Sequence, residues 1–189
     1  MTLRNIVCFG FGQVAKNFIK KIDSDGISFK LTTTSREETQ DKKLDNINYQ
    51  SFQFTEKGFD KNFISRLEEA DHILLSIAPV NGTDIVIKHF QNYFKTSKLK
   101  WITYLSATSV YGDHDGEWVD ENSKTKPTSS NGIERLKVER EWIKLSDKFD
   151  LPFQIFRLSG IYSNQYNILK RLNSGDAKII NKKNHFFSR

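Results

Sequence analysis

Asn5-Ile6-Val7-Cys8-Phe9-Gly10-Phe11-Gly12-Gln13-Val14-Ala15 is the stretch that decides the fold. Its first five residues form an apolar, β-branched run of strand character, and Val14, Ala15, Phe18, Ile19 and Ile22 then recur at helical spacing. Gly10 through Ala15 fit the G-x-G-x-x-G/A pattern, which is weak alone but sits here directly after a strand and before a helix. Gly10 permits the tight turn, Gly12 lets a pyrophosphate approach the backbone, and the small Ala15 lets the helix pack close to the sheet. The helix's free N–H groups then face the phosphates. The competing reading is that the two glycines serve the turn alone. Gly10, Phe11, Gly12, Gln13 and Val14 are therefore the first candidate cofactor-binding residues.

A site selective for NAD places an Asp or Glu about twenty residues further on, at the end of the second strand. This chain reads Thr33-Thr34-Ser35-Arg36 there. Ser35 and Arg36 can donate to a 2′-phosphate, Arg36 through a charge-assisted fork, which makes NADP the expected cofactor. The alternative leaves Arg36 in solvent and gives the ribose to Glu37, which keeps NAD open.

Further along, apolar runs alternate with polar segments of helical spacing, the pattern of a parallel sheet wrapped by helices. Strands are expected at 29–34, 49–52, 72–77, 101–106 and 153–158, with a charged, mobile loop before the third strand. Helices are expected around 63–70, 85–94 and 132–148, the last with Ile133, Leu136, Arg140 and Ile143 along its apolar stripe. The polar loop from Gly112 to Asn131 is long enough to be functional or mobile. The expectation is a Rossmann-type, doubly wound α/β fold with a parallel sheet of about six strands and helices on both faces.

The 189 residues suffice for one sizeable core, so a single dinucleotide-binding domain is expected. A net charge of +6 suits a phosphate-bearing partner. No helix–turn–helix, zinc-finger or aromatic–basic RNA motif accompanies the scattered lysines, Lys182 and Lys183 included, so nucleic acid is not the expected partner. Cys8 is the sole cysteine, which excludes an internal disulfide and fits a reducing cytosol. With no signal-like or membrane-length apolar stretch, the expected location is cytoplasmic. The acidic residues of the 113–121 loop lack calcium-loop spacing, and no metal is expected.

Leu105-Ser106-Ala107-Thr108-Ser109-Val110-Tyr111-Gly112-Asp113 resembles the strand-five signature of the extended short-chain dehydrogenase/reductases, the NAD-dependent epimerase/dehydratase family. Gly10-Phe11-Gly12, Ser76-Ile77-Ala78-Pro79, Arg135 with Glu139, and Arg157-Leu158-Ser159-Gly160-Ile161-Tyr162 follow in family order along nearly the whole chain. The resemblance implies a cofactor lying across the carboxyl ends of the strands. Its adenine half would lie near Gly12 and Arg36 and its nicotinamide half near Ala78 and Ser106, with Ser76 and Pro79 also among the cofactor-binding residues. It implies an epimerase/dehydratase-like or oxidoreductase-like activity on a sugar-nucleotide-like or other hydroxyl or carbonyl substrate. It also implies a homodimer through helices near 85–95 and 132–147, and a C-terminal substrate domain that these residues do not contain.

Family members usually act through a Ser/Thr–Tyr–Lys set. Counted from Val110-Tyr111-Gly112, the serine falls on Ala107, flanked by Ser106 and Thr108, while the tyrosine and lysine fall on Asn131 and Arg135. Asn131 cannot release a proton near neutral pH and Arg135 stays charged, so the usual proton relay cannot run as written. Asn131 has a second reading as an N-cap partnered by Glu134. Arg135 either bonds the nicotinamide ribose, as the family lysine does, or pairs with Glu139. Ser106, Thr108, Tyr111 and Arg135 are the catalytic candidates, with His114 in the same loop; packing under the substrate loop and a solvated turn are the competing readings for Tyr111 and His114. A non-catalytic dinucleotide-binding sensor or scaffold is the alternative function.

Overall fold

The structure is a computed structural model that describes residues 3–96, 98–163 and 167–176. Lys182, Lys183 and the terminal His185–Arg189 stretch lie outside the described residues. The first strand, β1 (Arg4–Phe9), leads through the glycine turn into α1 (Gln13–Ser24), followed by β2 (Phe29–Ser35), β3 (Gln40–Leu44), β4 (Ile47–Thr55) and β5 (Gly58–Phe59). Then come α2 (Phe63–Glu68), β6 (His72–Leu75), α3 (Ile85–Phe90), β7 (Trp101–Ala107), α4 (Ser130–Phe149), β8 (Phe153–Leu158) and α5 (Ile168–Asn173).

The sheet runs β3-β4-β2-β1-β6-β7-β8. All neighbours from β4 to β8 are parallel, which gives the six parallel strands expected of a doubly wound sheet. Two strands are additional: β3 pairs antiparallel with β4 from the outside, and β5 pairs antiparallel with the end of β4. The charged stretch read as a mobile loop is thus an edge hairpin. Asp45 at φ +52° turns Leu44 onto Ile47, and Lys42 and Lys43 decorate the outer strand as charges commonly do at a sheet edge.

Side-chain alternation sends β1 to both faces. Ile6 and Cys8 pack with Leu31 and Leu74 against Ala15 and Ile19 of α1. Val7 and Phe9 join Ile73, Leu75, Ile102 and Tyr104 beneath Phe63 and Leu67 of α2, Ile85, Val86 and Phe90 of α3, and Val138, Trp142 and Leu145 of α4. Burial pushes the Cys8 thiol up to about 12, so it serves as a small core residue and not as a nucleophile.

The buried face of α4 differs from the expected stripe. Leu136, Val138, Glu139, Trp142 and Leu145 are buried, whereas Ile133 and Ile143 are exposed. Gly132 fixes this orientation, because a Cβ there would lie 2.5 Å from the Ser109 carbonyl oxygen. The helix starts earlier than expected, and Ser129, not Asn131, is its N-cap, accepting the Gly132 N–H at 3.2 Å. The helix expected over 85–94 closes at Phe90 and is followed by a 3₁₀ turn at Tyr93–Thr96.

Candidate functional site

The carboxyl ends of β1, β2, β6 and β7 come together because every parallel strand feeds its connection at the same edge of the sheet. Gly10 leaves β1 at φ +78°, and a Cβ there would meet Ser76 Oγ at 3.0 Å. The turn is pinned on both sides: Gly10 N–H donates to Thr34 Oγ1 at 3.0 Å, and Ser76 Oγ lies 3.1 Å from the Phe9 carbonyl and 3.0 Å from that of Gly10. Gly12 is the N-cap of α1 and has nothing within 4 Å of where a Cβ would stand. No side chain caps this helix and no acidic residue occupies its first turn. A twelve-residue helix thus presents free N–H groups and its positive dipole end to an open space, an arrangement that fits a pyrophosphate.

Two recesses meet at this point, sharing Gly12 and Ser76. The larger, about 930 Å³, extends over the ends of β2 and β4 and is lined by Gly10, Phe11, Thr34, Ser35, Arg36, Ala78 and the turn residues Glu56 and Lys57, among others. Pro79 is half-buried beside Ala78 and is not among its lining residues. Glu37, the alternative ribose ligand, also stays outside both recesses and is held by Lys42 and Gln40 of β3. The Lys42 ammonium holds the Glu37 carboxyl below the usual carboxylate range.

The smaller recess, about 480 Å³, extends over β7 and is lined by Gln13, Val14, Ser106, Ala107, Arg135 and Ser159, among others. Ser106 is 3% exposed and its hydroxyl has no hydrogen-bond partner among the described residues. A buried hydroxyl left unbonded at the wall of a recess fits a ligand that completes it. Arg135 Nη1 donates to the Leu105 carbonyl oxygen at 3.1 Å, which holds the guanidinium at the same wall.

Of the two alternatives for Arg135, the pairing with Glu139 is not formed. Glu139, 1% exposed, takes both oxygens to Arg157 of β8, at 3.1 Å to Nε and 2.9 Å to Nη2. A planar fork opposite a buried carboxylate outcompetes a neighbour one helical turn away. Arg157 in turn stacks on the Tyr111 ring, 4.8 Å from its centroid.

The catalytic candidates therefore separate. Ser106 and Arg135 share one recess, while Thr108 and Tyr111 line a different hollow with Arg157, Asp120 and Glu121. Asn131 is exposed in the first turn of α4 and lines neither recess of the cleft. His114 Nε2 lies 3.0 Å from the Lys124 carbonyl oxygen, where it ties the loop together. Sequence reasoning missed Thr34 as a brace of the glycine turn and Lys57 as a lining residue. Thr34 lay hidden in a β-branched run, and nothing local marks a lysine in a strand-end turn.

No family model and no curated protein matches the sequence. The fold does match solved structures. A conserved protein of unknown function from Silicibacter pomeroyi DSS superposes with a TM-score of 0.78 at 28% identity, over 97% of this chain and 62% of that one. UDP-glucuronic acid 4-epimerase from Bacillus cereus in complex with NAD gives 0.65 at 18% identity, over 82% and 56%. UDP-N-acetylglucosamine 4-epimerase from Methanobrevibacter ruminantium M1 in complex with UDP-N-acetylmuramic acid gives 0.71 at 16%, over 92% and 63%. The architecture is thus the Rossmann-like fold of these epimerases, and this chain spans less than two thirds of the length of each.

Proposed function

We propose that this chain is the dinucleotide-binding domain of an epimerase/dehydratase-like or oxidoreductase-like protein and that it takes NADP in preference to NAD. The uncapped N-terminus of α1 above the open Gly12 carries this reading. Gly10, Phe11, Gly12, Gln13 and Val14 would hold the pyrophosphate and Ser35 with Arg36 the 2′-phosphate. Ser76, Ala78 and Pro79 would flank the middle of the cofactor, and Ser106 and Arg135 its nicotinamide half. The two epimerases with this fold act on sugar nucleotides, which supports a substrate of that kind or another hydroxyl or carbonyl compound.

Bound there, a nicotinamide would supply hydride transfer to or from a substrate carbon. The chain's own part in the smaller recess is hydrogen bonding from the Ser106 hydroxyl and a fixed positive charge from Arg135. Arg135 cannot pass on a proton, and the described residues lining that recess include no histidine, carboxylate, cysteine, tyrosine or lysine. This observation favours the second reading, a non-catalytic dinucleotide-binding sensor or scaffold. Turnover on a panel of carbonyl substrates separates the two, since persistent silence despite cofactor binding supports the sensor. Exposed Ile133 and Ile143 on α4 support pairing of two copies through that helix. The sole, buried cysteine supports a cytoplasmic setting.

The test is a calorimetric titration of NADP and NAD at moderate salt into wild type and Arg36→Ala. NADP should bind more tightly than NAD, and the variant should lose roughly tenfold for NADP alone. Binding of neither dinucleotide would sink the proposal.

A further inference from the structure

We infer that Lys57, in the turn between β4 and β5, is a second cation reading the 2′-phosphate alongside Arg36, and that the pair sets cofactor choice. The inference rests on the dinucleotide reading above and adds a specificity residue from a different strand. Register places Ser35, the last residue of β2, beside Gln53 of β4, so Arg36 and the 56–57 turn emerge from adjacent strand ends. Both line the larger recess. The turn is built to a fixed shape: Thr55 Oγ1 accepts the Lys57 N–H at 3.3 Å and donates to the Gly58 carbonyl at 3.3 Å.

Two other lysines at this edge are engaged: Lys42 holds Glu37, and Lys88 of α3 lies 3.4 Å from the Glu56 carbonyl oxygen. Arg36 and Lys57 enter no ion pair among the described residues, although both are exposed and Glu56 shares their recess. Two cations on neighbouring strand ends, against the single carboxylate of Glu56 among the lining residues, favour a doubly charged phosphate monoester over the neutral 2′-hydroxyl of NAD. A guanidinium offers a planar fork and an ammonium a compact charge, so the two can approach one phosphate from different sides.

Calorimetric titration of NADP and NAD into wild type, Lys57→Ala and Lys57→Glu tests this. Lys57→Ala should weaken NADP about fivefold and leave NAD unchanged, and Lys57→Glu should weaken NADP further. The loss should shrink at 0.5 M salt, because screening acts on exposed charges. Equal effects on both dinucleotides, or none on NADP, would overturn the role of Lys57 while leaving dinucleotide binding intact. Failure of wild type to bind either would overturn both claims. Lys57 is exposed and its turn is held by the backbone N–H bond to Thr55 Oγ1, which both substitutions keep, so the variants remain readable.

Discussion

The two ends of the cleft are built alike and equipped differently. At the β1–β2 end the turn, the uncapped helix and the braces from Thr34 and Ser76 form one connected unit around Gly10 and Gly12. At the β7–α4 end the backbone scaffold is equally firm, with Ser129 capping α4 and Gly132 packed on Ser109. Yet the recess there is lined by Ser106, Ala107 and Arg135, and Asn131 stays outside it. A Rossmann sheet holds a dinucleotide through backbone geometry and moves protons through side chains, so the two capacities depend on different parts of the cleft.

Three substitutions sharpen that contrast, in descending order of effect. Glu139→Ala leaves the Arg157 guanidinium without its buried partner and should destabilise folding by about 3–5 kcal/mol in chemical denaturation. A loss below about 1 kcal/mol would show that the pair does not hold α4 to β8. Gly12→Val should be nearly silent in that assay, because the backbone there is extended at φ −78°, ψ −170° and open space surrounds the site. It should nonetheless weaken dinucleotide binding by roughly a hundredfold, about 2.7 kcal/mol, since its methyls would fill the place proposed for the pyrophosphate. Unchanged affinity would remove the α1 N-terminus from the site. Asn131→Ala should change stability by less than about 0.5 kcal/mol and leave affinity untouched, being exposed and outside the cleft. A large effect of either kind would restore Asn131 to the working site.

The strand–turn–helix was legible because all its signals are local: an apolar run, two spaced glycines and a helical period within eighteen residues. The six parallel strands followed from alternation of apolar and polar segments. The β3 hairpin was not legible, because Gln40-Asp41-Lys42-Lys43-Leu44 carries no apolar face and gains its pairing only from β4. The orientation of α4 was misread for a related reason. In the sequence Glu139 is an alternative partner of Arg135, whereas its burial depends on Arg157, eighteen residues away on β8. Capping by Ser129 instead of Asn131 is a choice between two good caps two residues apart, which the packing of Gly132 decides. At the site, Arg135 could be placed through the family resemblance, counted from Val110-Tyr111-Gly112, but the isolation of the Ser106 hydroxyl depends on which neighbours the fold brings to it.

The most direct test of the account is an amide chemical-shift map of the labelled protein during titration with NADP. Dinucleotide binding at the α1 N-terminus should give the largest shifts at Gly12, Gln13, Val14 and Ser76, with Arg36 following and the opposite strand ends at His72 and Trp101 unmoved. Shifts concentrated instead on the separate basic recess lined by Lys30, Lys42, Lys43 and Arg66 would contradict it and mark non-specific attraction of a phosphate to surface charge.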